Sequence, residues 1–258
     1  MFFSRRIGLT GSRVVPIDVG GRLTGKVGKL GLGVLNIRTG EEAASGTRPT
    51  DFTVVRVKRD ILRRSSIGAM FTNRSVSTVS RGANNLYGAD AAFSFYQDVN
   101  FSGYVARTQT PDLQGDDLSY QAKFEYTGDR YGAQLEQLAV GSHFNPEVGF
   151  LRRVDFRRTF ALLRFSPRPR SIRQIRRFIY SGSVEYFVNG AGALESRHQQ
   201  AHFNTEFQNS DQIDVALNVN YELLARPFPI VRGAAIPDRK STRLNSSHIQ
   251  KSRMPSSA

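Results

Sequence analysis

The sequence predicts an all-β fold, built as an antiparallel up-and-down meander. Three observations support this class. Apolar and polar residues alternate with a period of two over long segments, which is the pattern of half-exposed strands. Short turn sequences join these segments, as in β-hairpins. The helical period of 3.6 residues does not recur convincingly anywhere in the 258 residues.

The clearest hairpin is "SYQAKFEYTGDRYGAQLEQLAV". Its first half places Tyr120, Ala122, Phe124 and Tyr126 on one face and Gln121, Lys123 and Glu125 on the other. "TGDR" has the composition of a tight turn, and the alternation resumes at Tyr131. We therefore expect two neighbouring antiparallel strands here.

The segment "AHFNTEFQNSDQIDVALNVNYEL" repeats this design around the turn "NSD". Ala201, Phe203, Thr205 and Phe207 alternate with His202, Asn204, Glu206 and Gln208, and the alternation continues from Ile213 to Tyr221. A third hairpin is predicted in "AAFSFYQDVNFSGYVA", with its turn at Gln97 and Asp98.

Five further segments have strand composition: "TGKVGKLGLGVLNIRT", "DFTVVRVKRDIL", "SIGAMFTNR", "FRRTFALLRFS" and "FIYSGSVEYFVNG". With the three hairpins they predict roughly eleven strands. Two longer loops are expected at "GEEAASGTRPT" and "SPRPRSIRQIRR". Neither interrupts the pattern enough to mark a boundary, so residues 1–237 are predicted to form one domain.

Two β architectures fit this pattern: a partial outer-membrane-type β-barrel and a soluble β-sandwich. The barrel is favoured because the strands are long enough for a tilted membrane crossing. Aromatic residues also fall near strand ends, as an interfacial girdle would require. The opposite strand face is amide- and carboxylate-rich, unlike a Lys-rich solvent surface. The candidate lumen-facing residues are Gln121, Lys123, Glu125, Asn204, Glu206, Asn218 and Asn220.

The net charge of +14 depends partly on the last segment, "DRKSTRLNSSHIQKSRMPSSA". Asp238–His248 match one reading frame of a common short-read sequencing adapter without a mismatch, and Ser252–Ala258 match a second constant part in the same frame. We interpret residues 238–258 as a non-native, adapter-derived tail and expect disorder there. Without it the net charge is +10. A native basic tail is the alternative.

No motif in the sequence defines a catalytic, cofactor-binding or metal site. "GGRLTGKV" approaches a phosphate-binding loop, but Val27 stands where a hydroxyl should ligate magnesium. His198, His202 and Glu206 recur every fourth residue. On a strand, however, the two histidines would lie ~13 Å apart, which is too far for one ion. No Cys is present, and no Ser–His–Asp set can be argued, so no enzymatic activity is assigned.

Ten arginines are concentrated between Arg152 and Arg177. Because arginine neutralises phosphates, nucleic-acid binding is one hypothesis for this segment. No nucleic-acid-binding motif accompanies the arginines, and their aromatic neighbours follow ordinary strand alternation. We favour a charged turn between two strands, near lipid phosphates, over a nucleic-acid interface.

Several segments together resemble one uncharacterised bacterial family of unknown function. They are "FFSRRIGL", "GGRLTGKVGKLGLGVLNIRT", "FTVVRVKRDIL", "SSIGAMFTNR", "GADAAF" and "FNPEVGFLRR", and they occur in the family's order. The resemblance covers about residues 2 to 230. Members of this family usually place such a region, which is similar to an outer-membrane β-barrel, after a carbohydrate-binding, family-nine-like module.

The resemblance implies an outer-membrane β-barrel envelope protein that contacts outer-membrane lipid and handles saccharide through that module. The start "MFFSRRIGLTG" lacks the apolar segment of a signal peptide. We therefore expect this chain to be a fragment whose signal peptide and module belong to a longer protein. The alternatives are a soluble β-sandwich that binds saccharide and a basic nucleic-acid-binding protein. The family has no established catalytic residues to transfer.

Overall fold

A computed structural model describes residues 7–11, 13–223, 228–231, 234–236 and 240–246. The strands are β1 (Leu9–Thr10), β2 (Arg13–Val14), β3 (Ile17–Val27), β4 (Leu30–Thr39), β5 (Thr50–Leu62), β6 (Ser65–Arg74), β7 (Asn84–Phe95), β8 (Val99–Gln109), β9 (Leu118–Tyr126), β10 (Tyr131–Val140), β11 (Phe156–Phe165), β12 (Ile175–Asn189), β13 (Leu194–Phe207), β14 (Gln212–Leu223), β15 (Phe228–Val231), β16 (Ala234–Ile236) and β17 (Lys240–Ser246). One 3-10 helix spans Ala43–Ser45.

Twelve consecutive strands, β3 to β14, form one sheet in which each strand pairs with the next along the chain. β17 adds a thirteenth strand beside β14, while β1–β2 and β15–β16 form separate two-stranded sheets. This order confirms the predicted all-β antiparallel up-and-down meander. The same strand order is compatible with both the barrel and the sandwich.

The predicted hairpins are confirmed. β9 and β10 flank "TGDR", β13 and β14 flank "NSD", and the β7–β8 turn contains Gln97 and Asp98. One expected strand is wrong: "TGKVGKLGLGVLNIRT" holds the end of β3 and all of β4. The chain reverses at Gly28, whose φ of 57° lies in the left-handed region that glycine adopts without strain.

Seven residues of the segment that is predicted to be disordered form β17, which pairs with β14 from Leu217 to Leu223, and disorder of 238–258 as a whole stays a prediction. The physical reason is that the last strand of a meander exposes a row of unpaired N–H and C=O groups. Such an edge pairs with any available extended segment. The adapter origin stays a prediction, and 238–239 and 247–258 lie outside the described residues.

The chain divides into two compact units. Unit 1 comprises residues 1–95, 101–122 and 138–156, and unit 2 comprises residues 96–100, 123–137 and 157–258. Within the described part of the chain, none of the helices is long and apolar enough to cross a membrane.

The core of unit 1 is formed where the long segment after β10, residues 141–155, folds onto one face of the sheet. Val148 is fully buried against Phe52 and Val54 of β5. Phe144 packs with Leu86 of β7 and with other apolar residues of β8 and β10. The sequence pattern did not predict this core, because the segment itself has no alternation.

Gly141 lies where this segment leaves β10, and it is predicted to tolerate no side chain. A Cβ there would overlap the backbone carbonyl of Asp116, which cannot move without breaking its hydrogen bond to the His143 N–H. Gly141→Ala should therefore lower the free energy of unfolding by about 1–3 kcal/mol, as overpacking does elsewhere. Urea unfolding followed by circular dichroism measures this change.

Gly25→Ala is the matched control, because Gly25 lies in β3 and a Cβ there meets nothing within 4 Å. This substitution should leave stability unchanged or raise it by a few tenths of a kcal/mol. Equal effects of the two substitutions would contradict the assigned close approach of the backbone at Gly141.

Candidate functional site

The register of β12, β13 and β14 divides the side chains of unit 2 between two chemically different faces. Tyr180, Phe203 and Val215 lie directly opposite one another, and Gly182, Ala201 and Leu217 form the next row. We call this side the apolar face of unit 2. Its members are open to the surroundings, as the 43% exposure of Leu217 indicates.

The other side of the same strands carries amides, carboxylates and both histidines, and we call it the polar face of unit 2. Four predicted lumen-facing residues lie here: Asn204, Glu206, Asn218 and Asn220. The period of two requires this, because all four occupy even positions of β13 and β14 in one register. Their common face is established, but whether it borders a lumen stays a prediction.

Polar neighbours satisfy each of these four side chains. Arg177 donates to Glu206 at 2.6 Å, and the Asn204 amide donates to Asp214 at 3.2 Å. Gln200 donates to Asn218 at 3.0 Å, and His198 hydrogen-bonds Asn220. The face is therefore a network of paired polar groups.

The other three predicted residues lie on β9. Lys123 and Glu125 form an ion pair with 3.0 Å between Nζ and Oε2. Gln121, on the same face of the strand, lines a cavity of unit 1. Alternation along β9 thus keeps the three together, and the structure gives each of them a polar or cavity-lining position.

The two histidines of β13 each contact a side chain of β14. His202 Nε2 lies 2.6 Å from Asp214 Oδ2, and His198 is paired with Asn220. Among the residues that the structure describes, no three histidine or acidic side chains are placed to share an ion. "GGRLTGKV" lies within β3 and not in a loop before a helix, and its Lys26 binds Asp60 at 2.7 Å.

Unit 1 has the same two-faced character. One row of apolar side chains crosses five strands: Leu23, Val34, Val55, Phe71 and Tyr87. On the same side of the sheet, a row of polar side chains lies next to this apolar row. It contains Asn36, Thr53, Asn73 and Asn85. We call this side of the sheet the apolar face of unit 1, and the polar row lies at one end of it.

The opposite face of unit 1 contains the most buried polar cluster in the part of the chain that is described. Glu147 is fully buried. Its carboxylate accepts hydrogen bonds from Ser77 Oγ at 2.6 Å, Thr78 N–H at 2.9 Å and Asn145 Nδ2 at 3.0 Å. Arg74 Nε lies 3.7 Å from Glu147 Oε2. A buried carboxylate is tolerated only with such partners.

Asn84, which is also fully buried, holds the same segment to β7. Its Nδ2 donates to Asn145 O at 2.8 Å and to Thr110 Oγ1 at 2.7 Å, while its Oδ1 accepts from the Glu147 N–H at 3.4 Å. The Asn145 N–H donates to Thr108 Oγ1 at 3.0 Å. Hydrogen bonds to both the backbone and the side chains of residues 141–155 therefore hold this segment against the sheet.

A cavity of about 580 Å³ lies beside this segment. Arg56 and Asp90 form a two-pronged ion pair in its wall, and Tyr104 and Gln121 add further polar groups. Phe150 and other apolar residues of the segment form part of the same wall. The cavity combines hydrogen-bonding groups with apolar surface, which is the usual composition of a small-molecule site.

Sequence reasoning did not identify Glu147, Asn84 or Ser77 as a cluster. Glu147 contacts Asn84 and Ser77 across 63 and 70 residues of sequence, so no local spacing reveals the cluster. One signal was available: "FNPEVGFLRR" places an acid among apolar residues in a segment without strand alternation.

The arginine-rich segment of the sequence divides into two groups. Arg158 bridges Glu136 and Glu185, at 2.7 and 2.5 Å, and Arg177 binds Glu206. In contrast, Arg168, Arg170, Arg173 and Arg176 are exposed around the loop between β11 and β12. These four are accessible to a phosphate-bearing partner, as are the exposed Arg152, Arg153 and Arg157 earlier in the segment.

Comparisons with known proteins return no match to a family model, to a curated protein or to a solved structure. The resemblance to the family of unknown function therefore stays a prediction.

Glu147 provides a test of the buried cluster. Glu147→Ala removes the shared acceptor of Ser77, Thr78 and Asn145, and it should destabilise the protein by about 3–5 kcal/mol, as removal of one partner from a buried charged network does. Urea unfolding measures the loss, and faster proteolysis within residues 141–155 should accompany it.

The matched control is Glu41→Ala, which deletes the same group from an exposed loop position. Its effect should stay within about 0.5 kcal/mol. A Glu147→Ala protein as stable as this control would show that the cluster does not hold the segment.

Proposed function

We propose that this chain is part of an outer-membrane β-barrel envelope protein of bacteria. In this proposal the apolar faces of both units contact lipid, and the polar faces border an aqueous interior. The single observation that carries the proposal is the uncovered apolar surface of the sheet. Leu23, Val27 and Leu163 are 66%, 84% and 65% exposed.

Water is an unfavourable surrounding for such a surface, since each Å² of apolar area left in water costs about 25 cal/mol relative to burial. Large contiguous apolar patches on soluble proteins mark contacts with a membrane or a partner. The rows Leu23 to Tyr87 in unit 1 and Tyr180 to Val215 in unit 2 are patches of this kind.

The dimensions support a membrane crossing. β3 to β14 contain 9 to 15 residues each, and a tilted transmembrane strand needs about 9–11. From Leu30 to Asn36 the apolar face extends about 20 Å along β4 at 3.3 Å per residue. This length covers part of the apolar band of known barrels, which is ~25 Å tall. The Asn and Thr row would then lie at the interface.

The polar faces support an aqueous interior. Arg158 with its two glutamates, Arg177 with Glu206, and Arg56 with Asp90 all lie on this side. Ion pairs of this kind are expensive against lipid but are ordinary in a wet or protein-lined lumen. In this proposal residues 141–155 fold inward and narrow that interior.

The soluble β-sandwich is the competing hypothesis, and it requires a second layer over the apolar face. Saccharide handling rests on the family resemblance alone and stays a prediction. In the present proposal the cavity beside Arg56 and Asp90 is where a polar small molecule would bind.

Leu217 and Asn218 provide a matched pair for the test. They are neighbours in β14, but Leu217 lies on the apolar face and Asn218 on the polar face. Leu217→Lys should weaken assembly into phosphatidylcholine vesicles by about 2–4 kcal/mol, because the charge would enter the hydrocarbon. Asn218→Lys should have little effect. Vesicle flotation and protease protection measure assembly.

Equal tolerance of the two substitutions would contradict the proposal. A monodisperse wild-type protein in buffer without detergent or lipid would favour the sandwich instead.

A further inference from the structure

The apolar face of unit 2 contains a groove of about 720 Å³. We call it the aromatic groove, because five aromatic residues line it: Tyr126 and the four whose rings form a row, Tyr131, Phe165, Tyr180 and Phe203. Aliphatic side chains extend it, including Leu163, Val215 and Leu217. Its lining extends over six neighbouring strands, β9 to β14, and therefore about 24 Å at a strand spacing of ~4.8 Å.

The four rings form a continuous row. The ring centroids of Tyr131 and Phe165 are 5.2 Å apart, those of Phe165 and Tyr180 are 6.3 Å apart, and those of Tyr180 and Phe203 are 5.0 Å apart. Such contacts hold each ring in place beyond the area it buries. The groove is thus built from side chains that constrain one another.

Arg130 connects the groove to a basic surface. Its guanidinium carbon lies 5.7 Å from the centre of the Tyr131 ring and 5.4 Å from that of Phe165. Both distances fall in the range of cation–π attraction. A positive charge is therefore fixed at the rim of an apolar groove.

The loop between β11 and β12 adjoins the same rim. The Ser166 N–H donates to the Arg130 carbonyl at 2.7 Å, and Arg168 forms a 2.7 Å ion pair with Asp129. Arg164 donates to the Gly128 carbonyl at 2.5 Å and to Ser166 Oγ at 2.5 Å. These bonds fix the turn after β9 and the loop after β11 side by side.

We call residues 166–176 the arginine loop. It contains four arginines and no acidic residue. One of them, Arg168, is paired with Asp129, whereas Arg170, Arg173 and Arg176 are exposed. Arg130 and the arginine loop together provide four exposed arginines at the same end of these strands. Guanidinium groups bind phosphate oxygens through paired, charge-assisted hydrogen bonds.

We propose that the aromatic groove and the arginine loop together bind an anionic phospholipid, with its acyl chains in the groove and its phosphate on the arginines. This inference rests on the proposed function, since the groove lies on the face that would contact lipid. It adds a specific lipid class to that function. Near an anionic surface each arginine contributes about 1 kcal/mol, or roughly a fivefold change in affinity.

A lipid fits these features better than a nucleic acid. Aromatic rings and arginines would also suit single-stranded nucleic acid, where bases stack on the rings. The aliphatic residues Leu163, Val215 and Leu217 serve no purpose in base stacking. They provide the surface that an acyl chain contacts, and they continue directly from the rings.

The test compares lipid binding by the wild type with that of a triple variant, Arg130→Gln with Arg170→Gln and Arg173→Gln. Protein in neutral detergent is titrated with phosphatidylglycerol and with phosphatidylcholine of identical acyl chains, and binding is followed by native mass spectrometry. The wild type should prefer phosphatidylglycerol, and the triple variant should lose on the order of 100-fold of that affinity.

A control variant carries Arg48→Gln, Arg81→Gln and Arg152→Gln. These three arginines are equally exposed but belong to other loops. It should bind phosphatidylglycerol like the wild type. Tyr180→Ala should weaken binding of the whole lipid and leave binding of glycerol phosphate unchanged. Circular dichroism verifies that every variant is folded.

Three results would overturn the inference. These are equal binding of the two lipids, equal loss in both arginine variants, and tighter binding of a single-stranded oligonucleotide than of phosphatidylglycerol through the same arginines. Each is distinct from failure of the proposed function, which vesicle assembly of the wild type in pure phosphatidylcholine tests separately.

Discussion

One hydrogen-bonded ladder runs through twelve consecutive strands, from β3 to β14, and the rest of the structure depends on it. Because the side-chain period of a strand is two, a fixed register assigns every side chain of the ladder to one of two faces. A slip of one residue between β13 and β14 would exchange Leu217 with Asn218. Charges would then enter the apolar face, and apolar groups the polar one.

The polar faces keep that register through pairing. Arg158 contacts glutamates of two different strands, and Arg177 joins β12 to β13 through Glu206. A shift of either strand would separate these partners and leave half-buried charges unpaired, which is costly. These pairs specify the alignment of strands more than they add to net stability.

Residues 141–155 solve a separate problem in unit 1. A long connection without strand pairing must satisfy its backbone groups in some other way. The side chains of Asn84 and Thr108 form hydrogen bonds with its backbone. The Glu147 carboxylate accepts hydrogen bonds from the surrounding donors of Ser77 and Thr78. Phe144 and Val148 bury its apolar side chains. The segment is thus part of the core, and its residues form one wall of the adjoining cavity.

The sequence by itself determined the all-β class, the three strong hairpins and the side of the strand on which Asn204, Glu206, Asn218 and Asn220 lie. Local alternation carries that information, because side chains on the same face of a strand are two residues apart in the sequence. Only the tertiary structure decided the Glu147 cluster, the groove of four rings and the pairing of β17 with β14. The Glu147 cluster joins residues 63 and 70 positions apart, and the groove and the β17 pairing depend on how separate strands align, which no local period records.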